Sequence, residues 1–313
     1  MISILKLRTE YELIHTLSTR TKLRLWLLSH PELNFYKFSI NNSFRILTSY
    51  FRQTPDFIII GSTKSGTTSL SGYLRQHPNL SIVTNVHFFE YILTNNLRWY
   101  KSHFPTNLQR YYVKLKTGQN HVAGEDTATY LFHSLVPERI KKTIPHVKLI
   151  IILRNPVDRA YSNYQHQVRE GLEIRTFEDA IKSELKRMGL IEDNKKIKIN
   201  NSDFDNATIF SYLRHGIYVD RIKIWMTLFG KNQFLILNTE ELAENTDKTL
   251  NKIFEFLDVP HYKIPDLRRR NVGKYEKMQE STREFLINFY KPHNQRLYKF
   301  LNRRFDWDKQ IIY

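Results

Sequence analysis

Phe57-Ile58-Ile59-Ile60-Gly61-Ser62-Thr63-Lys64-Ser65-Gly66-Thr67-Thr68-Ser69 is an apolar, β-branched run stopped by glycine and followed by a Ser/Thr/Gly turn. Leu70, Tyr73 and Leu74 then recur at helical spacing. The order strand, loop, helix points backbone N–H groups into one concavity and adds the positive end of the helix dipole, which suits a phosphate-like anion. A Walker A loop places its lysine after the second glycine. Here Lys64 stands two residues before Gly66, so a P-loop nucleotide kinase is the second reading, not the first.

Similar apolar runs lie at Leu80–Val83, Lys148–Leu153 and Gln233–Leu237, separated by helix-like stretches. That alternation predicts an α/β fold: a P-loop-like parallel β-sheet with helices on both faces. Thr176-Phe177-Glu178-Asp179 reads as a capping box opening a helix with Phe177, Ile181 and Leu185 on one face. A further helix is expected from Thr246 to Leu257, burying Leu250, Ile253, Phe254 and Leu257. Between the two, Asp193–Asn206 is polar, Asn-rich and expected as a long loop. Residues 1–54 are basic and amphipathic, with Leu23, Trp26 and Leu27 at helical spacing before His30-Pro31, and predict an N-terminal helical extension to a domain spanning 55–313.

A second anion signal follows the Leu149–Leu153 run: Arg154-Asn155-Pro156-Val157-Asp158-Arg159-Ala160-Tyr161-Ser162. An arginine at the carboxyl end of a parallel strand faces the crevice where open α/β sheets bind ligands. Ser162, on the helix that should follow, can share the same phosphate.

The chain has 313 residues, enough for a sizeable core, with 41% hydrophobic and 25% charged residues, which excludes collagen-like and wholly disordered classes. It contains no cysteine, so disulfides, thiolate nucleophiles and cysteine-ligated metals are excluded. No apolar run approaches the ~18 residues that span a bilayer. The opening MISILKLRTEYEL is broken by charge too early for a signal-peptide core, and a cytoplasmic enzyme without a transmembrane anchor is expected. The net charge of +17 attracts polyanions and nucleotides. No helix-turn-helix, zinc-finger or RNA-binding motif accompanies it, so no specific nucleic-acid partner is read.

At these residues the chain resembles the sulfotransferases that use 3′-phosphoadenosine 5′-phosphosulfate (PAPS), and among them the glycan-type branch that includes the heparan sulfate sulfotransferases. Besides the loop and the Arg154–Ser162 pair, the resemblance rests on His87-Phe88-Phe89-Glu90, Leu97-Arg98-Trp99-Tyr100, Gly124-Glu125-Asp126-Thr127, Gly216-Ile217-Tyr218 and Phe289-Tyr290-Lys291-Pro292. It covers most of residues 55–308. It implies that Lys64, Ser65, Gly66, Thr67 and Thr68 hold the 5′-phosphosulfate, that Arg154 and Ser162 hold the 3′-phosphate, and that Tyr218 belongs to the same pocket. Arg270, Gly273 and Lys274 are candidates for a basic loop closing over the nucleotide. The implied reaction is sulfuryl transfer to a hydroxyl, or an amine, of a sugar or small-molecule acceptor, releasing 3′-phosphoadenosine 5′-phosphate (PAP) and requiring no metal.

Two positions depart from the family pattern. Asn85 stands where the family places a glutamate two residues before the histidine, and Asp126 stands where it often has Lys or Ser. Asn85 cannot accept a proton at neutral pH. His87, whose imidazole titrates near neutrality, is the favoured base, with Glu90 as the other candidate and Glu90 and Glu125 as orienting groups. A catalytically weak, polyanion-binding relative of the enzymes is the third reading.

Overall fold

Alternate residues of the Phe57–Gly61 strand supply the two faces of the sheet. The computed structural model describes residues 40–90, 96–190, 210–270, 273 and 275–307. Its strands are β1 (Phe57–Gly61), β2 (Leu80–Thr84), β3 (Val122–Asp126), β4 (Lys148–Leu153) and β5 (Phe234–Asn238). All pair in parallel in the order β2-β3-β1-β4-β5.

The helices before β4 are α1 (Ile40–Leu47), α2 (Thr67–Leu74), α3 (Leu97–Ser102), α4 (Asn107–Thr117) and α5 (Val136–Thr143). After β4 come α6 (Pro156–Arg169), α7 (Phe177–Arg187), α8 (Tyr218–Leu228), α9 (Thr239–Glu244), α10 (Thr246–Leu257) and α11 (Glu280–Leu301). Because strand side chains alternate, Ile58, Ile60, Leu149, Ile151 and Leu153 pack on α5 and α8 through Val136, Ile140, Ile222 and Trp225. Phe57, Ile59, Ile150 and Ile152 turn the other way onto α2 and α10 through Leu70, Leu74, Ile253 and Phe254. A third cluster joins α6, α7 and α11 through Val157, Ile181 and Leu286. The expected two-sided parallel sheet is therefore present, and both anticipated helices bury the residues expected of them.

One strand lacks a sequence signature. β3 reads Val-Ala-Gly-Glu-Asp, an acidic ending that argues against a buried strand, yet Ala123 and Glu125 are fully buried. Leu23, Trp26 and Leu27, the Asp193–Asn206 segment and Lys274 lie outside the described residues.

The chain runs from β1 outward to β2 on one side and from β4 outward to β5 on the other. The strand order thus reverses between β1 and β4, leaving a crevice beyond their carboxyl ends. The β1–α2 loop and Arg154 meet there.

Candidate active site

The β1–α2 loop is fixed by its own polar groups. The Ser62 amide donates to the Ile152 carbonyl at 2.8 Å, the Ser65 amide to the Ser62 carbonyl at 3.3 Å, and the Ser62 and Ser65 hydroxyls meet at 2.6 Å. The Thr239 hydroxyl lies 2.6 Å from the Ser65 carbonyl and 2.9 Å from that of Leu153, tying the loop to the end of β4. Gly66 takes φ 89° as the residue capping α2, a left-handed conformation that suits glycine. Having no side chain, it leaves the first-turn amides of α2, which lack intrahelical acceptors, to an external anion. Ser65, Thr67 and Thr68 follow the same turn.

Lys64 also has a positive φ, 66°, strain of the kind that clusters at functional sites. Burial first, then the charges of Arg169, Arg154 and Arg159, push its ammonium down to about 8; only Glu170 acts in the opposite direction. Such a crowd of cations around one lysine fits a multiply charged anion. Arg154 donates to the Lys64 carbonyl at 3.1 Å, and its own carbonyl accepts from the buried Tyr218 hydroxyl at 2.9 Å. Tyr218 thus underpins Arg154. Ser162 lies on α6, two turns beyond Arg154, half-buried. The two sequence-predicted anion signals therefore meet at one crevice.

The base candidates lie beyond β2 and β3. His87 Nδ1 pairs with Glu90 Oε2 at 2.7 Å, and the other Glu90 oxygen accepts from the Thr129 hydroxyl. Burial alone would lower the imidazole's pKa. The Glu90 hydrogen bond and the charges of Glu90, Glu125 and Asp126 outweigh it and raise His87 above its ordinary value. Asn85 and His87 both sit at positive φ, 56° and 55°, flanking Val86. Asparagine tolerates that conformation better than glutamate does, and its amide is held by the Asp126 carbonyl at 2.8 Å.

Glu125 is enclosed as a carboxylate among hydroxyls: Tyr130 and Thr127 donate to one oxygen at 2.7 Å each and Tyr100 to the other at 2.5 Å. Burial pushes its pKa up, and these three donors oppose the rise. Its hydrogen bonds make it an anchor for the aromatic wall, where Tyr100 stacks on Phe88 with centroids 4.4 Å apart. Asp126 accepts from the Ser71 hydroxyl of α2 at 2.5 Å, and burial lifts it to about 6.

The segment after α10 is strapped along α2. The Tyr73 hydroxyl donates to the Leu267 carbonyl at 3.0 Å, Gln76 exchanges two bonds with Asp266, and the Arg270 amide donates to the Ser69 hydroxyl at 2.8 Å. The Arg270 side chain lies over Gly72, where a Cβ would stand 2.5 Å from its Nε. Farther on, Gly273 packs on Tyr275, whose ring meets Tyr161 of α6 edge-on at 5.5 Å. Arg270 and Gly273 thus bridge from α2 toward α6.

Sequence reasoning missed Thr239, Thr129, Ser71 and the tyrosines around Glu125. All but Tyr130, five residues from Glu125, act across a long sequence separation, and Thr239, just after an expected strand, carries a local signal. Among the described residues no three His, Asp or Glu side chains gather as a metal site. No helix among them is long and apolar enough to cross a membrane.

The sulfotransferase domain family matches residues 54–305. The membrane-associated sulfotransferase kil1 of Dictyostelium discoideum is 25% identical over 319 aligned residues, covering 81% of this chain and 66% of that protein. Mouse heparan sulfate glucosamine 3-O-sulfotransferase 3A1 is 28% identical, covering 82% of this chain and 65% of its own length. The chain thus spans just under two thirds of these relatives. A crystal structure of a sulfotransferase from Alicyclobacillus acidocaldarius superposes with TM-score 0.62 at 26% identity, covering 82% of this chain and all of that one.

Proposed function

The chain belongs to the sulfotransferase domain family, and we propose that it transfers a sulfuryl group from PAPS to a hydroxyl, with an amine as the second choice, of a glycan or small-molecule acceptor, releasing PAP. The family draws on this donor, whose activated sulfate supplies the group transferred. The observation that carries the reading is the meeting of Lys64, Arg154 and the uncapped start of α2 in the β1/β4 crevice, since a donor with anionic groups at both ends needs two cationic anchors close together.

In this reading the amides of Ser65 to Thr68 and the Lys64 ammonium hold the 5′ group and neutralise charge on the departing oxygen, while Arg154 and Ser162 hold the 3′-phosphate. Arg270 and Gly273 close over the nucleotide; Lys274 is assigned there by resemblance alone. His87 takes the acceptor proton on Nε2, because the Nδ1–H donated to Glu90 leaves the lone pair of the neutral ring on the other nitrogen. Glu125 holds the wall against which the acceptor lies. The heparan-type relatives support a sugar acceptor. The setting in this reading is cytoplasmic, with residues 1–54 as an extension to the catalytic domain.

The test is release of PAP from PAPS in the presence of a panel of sugar and small-molecule acceptors. Lys64→Ala should slow it by about 10²–10³-fold, as for removal of one charge-stabilising donor. A rate near wild type removes Lys64 from the mechanism.

A further inference from the structure

α4 is a helix with no buried residue. Its apolar side chains Leu108, Tyr111, Tyr112 and Leu115 fall at the i, i+3, i+4, i+7 spacing of one face, and all four are exposed, Leu108 at 75%. Beside it, α1 and the short 3-10 turn that follows expose Phe44, Leu47, Tyr50 and Phe51, with Leu47 at 74%. These elements form one layer. Arg45 donates to the Ser102 and His103 carbonyls at the end of α3, Arg52 donates to the Phe104 carbonyl, and Arg52 pairs by backbone with Thr106, the cap of α4. With Leu97, the layer carries nine of the nineteen exposed large apolar side chains among the described residues.

Its charge has one sign. Residues 40–52 and 97–117 contain Arg45, Arg52, Arg98, Lys101, Arg110, Lys114 and Lys116 and no Asp or Glu. Arg45 and Arg52 are spent on internal carbonyls and Arg110 on Asp56 at 2.8 Å. Arg98, lying over the Tyr50 ring at 4.4 Å, and Lys101, Lys114 and Lys116 remain beside the apolar face.

We propose that the α1–α4 layer docks this protein onto the surface of an anionic lipid bilayer. Nine exposed large apolar side chains on elements tied together in this way mark an interaction surface. Leucines and tyrosines beside lysine and arginine, on segments that carry no acid of their own, match the acyl–headgroup boundary of a negatively charged leaflet, where aromatic rings and basic side chains settle together. A soluble polyanion would draw on the charges alone and leave the apolar stripe in water. The surface is separate from the donor crevice, so it adds a location to the reaction and not a step.

The test uses the full chain and vesicles of phosphatidylcholine with and without phosphatidylserine, read by co-sedimentation. Wild type binds the phosphatidylserine vesicles and not the neutral ones. Leu108→Ser combined with Leu115→Ser lowers partitioning by at least about tenfold, two inserted side chains being lost. Lys114→Gln combined with Lys116→Gln lowers it about fivefold for each charge removed. Both variants keep the wild-type thermal transition and PAP affinity, because every altered side chain is exposed. Absence of vesicle binding overturns the proposal. So does binding that both variants retain, which assigns the contact elsewhere in the chain, such as residues 1–39. A lipid-free dimer that Leu108→Ser with Leu115→Ser dissociates overturns it too, giving the surface to a second copy.

Discussion

The Arg154 guanidinium donates to the backbone carbonyl of Lys64 at 3.1 Å. The residue that follows β4 thereby holds the loop that follows β1, and the two sequence signals, ninety positions apart, meet at one crevice. In the proposed reading a ligand with a single phosphate cluster needs only the loop, and one with a second, separate phosphate also engages the arginine.

Arg154→Ala should therefore discriminate between nucleotides. PAP affinity falls by about 10- to 100-fold, as expected for losing a charge-assisted contact of about 1.5–3 kcal/mol. ADP affinity falls less, since ADP loses only the support that Arg154 gives the loop at the Lys64 carbonyl. Calorimetric titration of both ligands against wild type and variant measures the difference.

Proton uptake should accompany donor-product binding. Burial and the neighbouring arginines place Lys64 at about 8 in the free protein. An anion beside the ammonium stabilises its charged form and raises that value, so above about pH 8 Lys64 takes up a proton when PAP binds, and PAP binds more weakly as Lys64 is neutralised. Titrations at pH 8.5 (about half a unit above the Lys64 value) in two buffers of different ionisation heat should give different apparent enthalpies; in Lys64→Met the difference should vanish.

With His87 as the proposed base, the acid limb of the pH–rate profile should report its titration. A base must be neutral, and the Glu90 hydrogen bond with the surrounding carboxylates raises the imidazole above 6.5 despite its burial. Activity should fall as pH drops through that raised value. Glu90→Gln removes the strongest opposing charge and leaves burial to dominate, so the limb should move to lower pH with a reduced plateau. A limb that stays in place assigns the titration to another group.

Asn85→Glu tests the departure at the base position. At φ 56° a glutamate is strained, and the variant should lose about 1 kcal/mol of stability by chemical denaturation. If a second base near His87 helps, the rate below the His87 pKa should rise. A fall at all pH values shows that the present arrangement is fitted to His87 alone.

Tyr130→Phe removes one of the three hydroxyls that hold the buried Glu125. Leaving that carboxylate short of a donor should cost about 1.5–3 kcal/mol of stability, read from the denaturation midpoint.

The sheet was legible where strands are apolar throughout. Phe57–Ile60 and Leu149–Leu153 are buried on both faces, so each reads as an unbroken hydrophobic run. β3 escaped because its acidic end is buried only by virtue of the Tyr100, Thr127 and Tyr130 hydroxyls that satisfy Glu125, which an apolar pattern does not show. The donor loop was legible for the opposite reason: its glycine, lysine and threonines are contiguous. Arg154 was readable as an anion residue, but its bond to Lys64 was not. At Asn85 a composition-level oddity acquires a physical reason in the left-handed backbone, which an alphabetic pattern does not show.

The most direct measurement is calorimetric titration of the full chain with PAP, run beside ADP and Mg-ATP. The account predicts that PAP binds, and binds more tightly than either competitor, because the crevice holds anchors for two separated phosphates. Equal affinity for ADP, preference for Mg-ATP, or no binding of PAP would contradict it.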